Sequence, residues 1–411
     1  MLLILAGVAL ATLTGQGNII GNAENAVGKY NNSVASEQQL LNEIEKYFQN
    51  YLEGGNGGNP PTPPDPVEPP EVNEDGLATE NTTIKPDPNS EIQITIPAGF
   101  APAILATGTT QSLPGQDGSV ASIMPADEWN NITTEDINKG IVIVDNAITY
   151  DNGQLTGTTP DFNEYVWVPI PDSNNFKSTA WNVNGSQQSI AIAPTTDEEK
   201  QNKYWDYSTT AEYTNMLASV EQYKGFYIGR YEASQGANDI AQSKRNISTW
   251  TNVSQTTAIT ACTNNTKTPN MHLIYGIEWD STLNWLIGNA TISSSNQGET
   301  KTMELADIQT DSRSWGNYNN STGDAEANSG SKQNTGYSEY WKANNIYDLA
   351  GNVREWTQEK YSTGTGRANR GGGYSTGGDV RPAALRSYDV ESHADSYRRD
   401  PCQLFCSTGL W

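Results

Sequence analysis

Near the N-terminus the apolar positions of the chain follow a helical period. Between residues 36 and 52 they recur three and four positions apart, which predicts an amphipathic helix. Ser36 and Gln39 form a capping box at its start, and glycines follow its end. The apolar positions are Leu40, Leu41, Ile44, Tyr47, Phe48 and Tyr51. Residues 54–76 then predict a semi-rigid acidic spacer, because their many prolines exclude both helix and sheet pairing.

Further along, the pattern changes to one typical of strands. Ile92, Ile94 and Ile96 alternate with polar residues, as in a half-buried strand, and residues 139–146 contain a continuous apolar run. The segments 163–171 and 225–234 are also predicted strands. We therefore divide the chain into four parts by composition. The predicted parts are an N-terminal helix (1–53), the spacer (54–76), a small β-rich lead-in region (77–159) and one larger domain (160–411).

Three helices are predicted in the larger domain. Thr209 and Glu212 form a capping box, followed by an apolar stripe at helical spacing. Residues 251–262 and 277–288 are the other two helices, whereas residues 314–341 are polar and loop-like. The first stripe is Tyr213, Met216, Leu217 and Val220, and the last helix has Trp279, Leu283 and Leu286 on one face. The predicted fold class is α+β with much irregular structure.

Charge and cysteine content limit the possible functions. The chain has 24 Lys and Arg residues against 48 Asp and Glu residues, a net charge of −24. Such a charge argues against nucleic acid or an anionic membrane as the main partner. Three cysteines, Cys262, Cys402 and Cys406, are too few for a disulfide framework. Cys402 and Cys406 are close enough in sequence to pair locally, and the alternative is that their proximity is incidental.

The first residues, LLILAGVALATLTGQGNIIGNAENA, resemble the distal half of the hydrophobic N-terminal helix of type IV pilin-like proteins from Gram-positive bacteria. In that family a basic leader, a processing site and a glutamate precede this segment, so the resemblance implies a truncated or mis-started reading frame. It also implies a protein at the cell surface, anchored in the membrane or a pilus, and assembly through the helix. The alternative is an ordinary buried helix.

Four motifs resemble the formylglycine-generating enzyme / sulfatase-modifying-factor superfamily. YVWVPIP, GFYIGRYEAS, NIYDLAGNVREWT and RANRGGGY occur in that family's order and cover roughly residues 160–411. The resemblance implies a variant of the C-type lectin fold. Glycines at 351, 371, 372 and 373 suit tight turns and close backbone approach, and we expect Tyr347 and Trp356 to fill the core.

The same resemblance raises an enzyme as an alternative. In the family's oxidases a cysteine pair directly after the Arg-Gly-Gly segment binds copper. Here residues 375–379 contain no thiol, and Cys402 and Cys406 lie much later. A related branch uses iron held by several histidines, and this chain has two. We therefore do not expect copper, or catalysis of this type, at the matching position.

The family also holds calcium near the segment that corresponds here to residues 351–355. The resemblance implies Asn352 and Glu355 as metal ligands, and oxygen ligands of this kind suit calcium. The alternative is that Glu355 and Arg354 make structural hydrogen bonds.

Residues 370–411 have an unusual composition. They contain no Asn, Lys or Ile, yet they hold two of the three cysteines. Those three amino acids share adenine-rich codons, so replacing adenines in a template would remove them. Here the chain resembles the variable proteins of diversity-generating retroelements, whose lectin-like fold carries a variable C-terminal segment. The alternative is chance together with a need for arginine.

Aromatic, charged and hydroxyl side chains in this tail are typical of binding surfaces. We therefore predict a surface-displayed protein that binds an unknown protein or glycan through its tail. The alternatives are the oxidase and a minor pilin with a purely structural role. The candidate contact residues are Tyr374, Ser375, Asp379, Arg381, Arg386, Tyr388, Asp389, Glu391, His393, Asp395, Tyr397, Arg398 and Arg399.

Overall fold

The structure is a computed structural model. It describes residues 68–106, 118–146, 150–151, 154–155, 162–190, 210–265, 268, 270–296, 299–323, 330–361, 366–392, 394, 402–404 and 406–408. The chain divides into two compact units, Met1–Pro69 and Pro70–Trp411, and nearly all described residues belong to the second. The pilin-like segment, the predicted helix over 36–52 and residues 54–67 of the spacer lie outside the described residues.

Eleven strands build the two main sheets of the second unit. They are β1 (Ala101–Leu105), β2 (Val120–Ile123), β3 (Val142–Val144), β4 (Glu164–Pro169), β5 (Gly225–Gly229), β6 (Met271–Leu273), β7 (Arg354–Lys360), β8 (Gly366–Arg370), β9 (Ser387–Val390), β10 (Cys402–Leu404) and β11 (Cys406–Thr408). The larger sheet has seven strands in the order β6-β11-β5-β4-β3-β1-β2, and every neighbouring pair is antiparallel.

Strand β4 shows why its sequence is apolar throughout. Val166 and Val168 pack into one hydrophobic cluster, whereas Tyr165 and Trp167 pack into another. Successive side chains of a strand point to opposite faces, so both faces of the sheet are covered here. The strands predicted at 163–171 and 225–234 are confirmed as β4 and β5. Strand β3, from the predicted lead-in region, pairs with β4, so that region and the larger domain share one sheet.

The smaller sheet has four strands in the order β9-β8-β7-β10. Strands β7, β8 and β9 are antiparallel, and the pairing of β7 with β8 is irregular between Trp356 and Lys360. Strand β10 joins β7 in parallel. Strands β10 and β11 are neighbours in the sequence but belong to different sheets.

Five α-helices are described: α1 (Thr134–Asn138), α2 (Thr210–Tyr223), α3 (Gln255–Thr263), α4 (Gly276–Leu286) and α5 (Leu305–Gln309). The three predicted helices are confirmed as α2, α3 and α4. Helix α3 begins later than predicted because Ser254 caps it, its side chain accepting a hydrogen bond from the Thr257 N–H at 3.1 Å. Short 3-10 helices occupy Ala126–Asn131, Ser173–Asn175 and Ala237–Asp239.

Helix α4 is central to the core. Trp279, Leu283 and Leu286 are fully buried in one hydrophobic cluster, as its predicted apolar face requires. Glu278 on the same helix is also buried, and its carboxylate lies 3.0 Å from Nε2 of His272 on β6. The helix therefore places charged groups inside the protein as well as apolar ones.

Six two-stranded antiparallel ribbons complete the described structure, and the predicted α+β class with few helices is confirmed. The ribbons pair Thr82–Ile84 with Ile94–Ile96, Tyr150–Asp151 with Gln154–Leu155, Asn182–Val183 with Ser186–Gln187, Ser234–Gln235 with Ala241–Gln242, Thr291–Ser293 with Thr300–Thr302, and Lys342–Ala343 with Ile346–Tyr347.

Candidate functional site

The first part of the tail is a loop held in place by hydrogen bonds to residues 312–320. The Asn319 side chain donates to the Ser375 carbonyl at 2.9 Å. Asn320 accepts from the Gly378 N–H at 3.0 Å and donates to the Asp379 carboxylate at 2.9 Å. Both the backbone and one candidate contact residue are thereby fixed. The loop has a defined shape that does not depend on a ligand.

Glycines allow this close packing, as the sequence predicted. Gly351 has φ +80°, and a Cβ at this position would lie 2.2 Å from the Asn317 carbonyl oxygen. Gly371 also has a positive φ, of +64°, and a Cβ on Gly372 would lie 2.4 Å from the Arg381 carbonyl oxygen. No other residue fits such positions without strain. Tyr347 and Trp356 are fully buried, which confirms their predicted place in the core.

Four charged side chains form a buried ion cluster under the tail. Asp280 accepts from Arg370 Nη2 at 3.0 Å and from Arg386 Nη2 at 2.9 Å. Glu359 lies 3.2 Å from Arg370 Nη2 and 2.6 Å from Arg386 Nε. All four side chains are at most 1% exposed, and their charges balance. We refer to Asp280, Glu359, Arg370 and Arg386 as the ion cluster.

The ion cluster joins elements that are distant in the sequence. Asp280 belongs to α4, Glu359 to β7 and Arg370 to β8, while Arg386 immediately precedes β9. Arg386 also donates from Nη1 to the Ser189 carbonyl at 2.9 Å. Buried ion pairs are tolerated where such additional bonds satisfy the groups. Arg386, a predicted contact residue, is therefore placed in the interior, where it fixes the chain entering β9.

The predicted metal ligands lie in a second buried cluster. Asn352 and Glu355 are fully buried. The Asn352 side-chain oxygen accepts from Asn317 Nδ2 at 3.1 Å and from the Gln333 N–H at 3.0 Å, and its Nδ2 donates to the Glu232 carboxylate. An oxygen that receives two N–H donors is not presented to a cation. Among the described residues, no group of three or more acidic, His or Cys side chains is arranged to hold a metal.

Carboxyl groups in this second cluster are shifted toward their neutral forms. Burial and the nearby charge of Asp348 raise the pKa of Glu232 well above its usual value, although the Val353 N–H donates to it at 3.1 Å. Burial likewise raises the pKa of Asp348 to about 7, against the opposing effect of the Gly336 N–H. Each of these two carboxyl groups also accepts a hydrogen bond from a backbone N–H. Asn352 and Glu355 as metal ligands, and calcium itself, stay predictions.

The described part of the tail exposes large hydrophobic side chains. Among the described residues, four large hydrophobic side chains are exposed, and three of them are Val380 (63%), Tyr388 (58%) and Val390 (47%). Tyr388 stacks on Tyr361 with ring centroids 4.3 Å apart and 13° between the ring planes. Tyr388 and Val390 lie two residues apart on the edge strand β9, so both side chains point to the same face. The fourth exposed residue is Leu305.

The remaining candidate residues are placed differently. Asp389 is buried, and Glu391 forms an ion pair with Arg367. Tyr374, Ser375, Asp379 and Arg381 are half-buried in the loop. His393, Asp395, Tyr397, Arg398 and Arg399 lie outside the described residues. Among these candidates the structure thus places Tyr388 at the surface and Arg386 and Asp389 inside.

Cys262 on α3 is disulfide-bonded. Cys402 lies on β10 and Cys406 on β11, which belong to different sheets. Whether these two cysteines pair locally stays open, as the sequence left it.

Sequence reasoning missed Glu232, Asp280 and Glu359, which are fully buried acids. Glu232 lies between Tyr231 and Ala233, and a charge between apolar residues was the available signal there. Asp280 and Glu359 each have at least one polar neighbour, so their local sequence gave no such signal.

No family model matches the chain, and no curated protein matches it at a significant level. In the described part of the chain, no helix is long and apolar enough to cross a membrane.

Proposed function

We propose that this protein is a surface-displayed binding protein whose C-terminal unit has a C-type-lectin-like fold and presents its ligand site on the tail. The family resemblance rests on the four motifs between residues 160 and 411. The observation that carries the proposal is the exposure of Val380, Tyr388 and Val390 within so short a segment. Exposed apolar and aromatic groups on a fixed backbone are typical of binding surfaces.

The arrangement under these residues supports the same function. Residues 375–379 are fixed by the loop at 312–320, and Arg386 is fixed by the ion cluster. A binding surface gains affinity when its loops are ordered before the ligand arrives. Side chains at the tips are then free to differ without loss of the scaffold. This is the property that the resemblance to variable proteins of retroelements requires.

An extracellular location fits the disulfide. Disulfides form and persist in oxidising environments and are rare in the cytosol. Together with the pilin-like N-terminal segment and the proline-rich spacer, the disulfide of Cys262 supports display outside the cell. We propose that the ligand is a protein or a glycan on another surface.

Binding by the full-length protein tests this proposal directly. The purified protein is labelled and applied to a panel of bacterial and host cell surfaces and immobilised glycans. We expect binding to at least one surface, and its loss in the variant V380S/Y388A/V390S. The matched control is L305S, which removes the fourth exposed hydrophobic side chain, on helix α5 outside the tail segment. Equal binding by wild type and the triple variant, or binding to no surface in the panel, contradicts the proposal.

Sequencing the 3′ end of the gene across a population tests the variable segment. We expect substitutions at the codons of the exposed residues Val380, Tyr388 and Val390. Arg370 and Arg386 should be invariant, because each is part of the buried ion cluster. Invariance throughout the tail would remove the retroelement hypothesis but leave the binding proposal to the first experiment.

A further inference from the structure

A polar cleft away from the tail has the chemistry of a ligand site. It has a volume of about 400 Å³ and lies where the chain leaves β4 and passes α4. Cavities of this size are in the usual range for small-molecule sites, about 300–1,000 Å³. Four asparagines line it: Asn138, Asn175, Asn284 and Asn289. An amide both donates and accepts hydrogen bonds, so such a lining suits a ligand that does the same.

Two buried polar atoms, each on a residue that lines this cleft, have no partner in the described part of the chain. They are Ser281 Oγ and Trp285 Nε1, and both residues line the cleft. Ser281 is 1% exposed and Trp285 is 8% exposed. Both lie on α4 at helical spacing, so they share one side of the helix. Buried polar groups nearly always have a hydrogen-bond partner, and a partner for these two is best supplied by a ligand.

A second cleft adjoins the first and is also lined by asparagine side chains. It has a volume of about 320 Å³ and shares Asn289 with the first cleft. Asn344 and Asn345 line it, and Asn344 Nδ2 is again buried without a partner among the described residues. Two adjoining polar clefts joined by one asparagine fit an elongated ligand made of similar units.

We propose that the two clefts bind an oligosaccharide, with neighbouring sugar units in each. Sugar hydroxyls donate and accept hydrogen bonds, as asparagine amides do, and their ring faces pack against an indole such as that of Trp285.

Charge around the clefts bears on which sugars fit. Lys177 lines the first cleft, and Lys139, Lys342 and Glu339 line the second. Three lysines against one glutamate give the clefts a local charge of +2, whereas the whole chain has a net charge of −24. The site therefore admits neutral sugars and also sugar acids, whose carboxylates would meet the lysines. It shares no lining residue with the tail, so this inference is independent of the proposed tail site.

Titration calorimetry with defined tetrasaccharides tests the proposal on the full-length protein. The probes are cellotetraose, which is neutral, chitotetraose, which carries amides, and tetragalacturonate, which carries carboxylates. We expect the wild type to bind at least one of them. Binding by tetragalacturonate alone, weakened in K177A but not in K85A, would identify a sugar acid. The failure of all three probes would overturn the proposal.

The variant S281A separates a ligand contact from a structural role. Because Ser281 Oγ has no partner within the described structure, its removal should leave the melting temperature unchanged or raised. Binding should nevertheless weaken about three- to tenfold, the effect of one lost hydrogen bond. W285F, which removes the indole N–H but keeps a ring, should weaken binding similarly, and N289A should weaken it at least as much because Asn289 lines both clefts.

Two controls complete the design. Asn131 is an exposed asparagine outside both clefts, so N131A should bind like the wild type. The tail variant V380S/Y388A/V390S should also bind the tetrasaccharide normally. Unchanged binding in both S281A and N289A, or its loss in the tail variant, would overturn the assignment to these clefts.

Discussion

Replacing Arg386 with methionine tests whether the ion cluster holds the tail in place. Methionine keeps an unbranched apolar stem but removes the contacts to Asp280 at 2.9 Å and Glu359 at 2.6 Å. Two carboxylates with no solvent exposure are then left with Arg370 as their shared cation in the cluster. Removing one partner of a buried pair costs about 3–5 kcal/mol, because a buried charge is left uncompensated. We expect R386M to lose about that much stability.

For a unit of this size, the expected loss of stability corresponds to a measurable decrease in melting temperature. For a unit running from Pro70 to Trp411, a loss of this size lowers Tm by roughly 5 °C. Urea unfolding followed by tryptophan fluorescence gives the free energy directly.

The matched control is R313M, since the ion pair of Arg313 with Asp311 is about a third exposed and should contribute less than about 1 kcal/mol. The double variant R386M/E359Q restores the charge balance and should recover at least about 1 kcal/mol relative to the sum of the single effects. A loss below about 1 kcal/mol in R386M, or simple additivity in the double variant, refutes the reasoning.

Three further predictions follow from other features. C262S should lose about 2–5 kcal/mol, and peptide mapping of the oxidised wild type should link Cys262 to the tail; a stable C262S variant would contradict this. G351A should be strongly destabilising because a Cβ there meets backbone at 2.2 Å, whereas G99A, with φ +83° and nothing within 4 Å, should cost much less, and equal melting temperatures would show that the close approach is unimportant. Burial acts to lower the pKa of His272, but the charge and hydrogen bonds of Glu278 outweigh it and raise the pKa. The protonated pair therefore adds stability below the usual histidine pKa of about 6.5, and this is lost as pH rises through the folded value. H272Q should thus differ more from wild type in urea unfolding at about pH 6 than at about pH 10, and a difference independent of pH would exclude the ion pair.

The central strands and helices could be predicted because local pattern and tertiary environment agree. Strand β4 is covered on both faces, so a continuous apolar run was the correct signal. Helix α4 likewise faces the core with Trp279, Leu283 and Leu286. In both cases the information lies within about ten consecutive residues, which is the range over which periodicity operates.

The interior charges could not be predicted in the same way. Asp280, Glu359, Arg370 and Arg386 come together from four elements, and a charge in a sequence is normally taken as a surface position. The disulfide of Cys262 was not predicted for a related reason: this cysteine lies on α3, and no pattern in the local sequence indicates a partner from a distant element.

The division of the C-terminal strands between two sheets has a consequence for how the gene can vary. Strand β11 lies between β5 and β6, and β10 lies beside β7, so neither sheet is complete until residues beyond 401 have been translated. A frameshift or stop codon within residues 374–401 would leave both sheets without a strand. Such products would expose strand edges and be removed by proteases. Only in-frame substitutions in the tail therefore give a protein in which both sheets are complete.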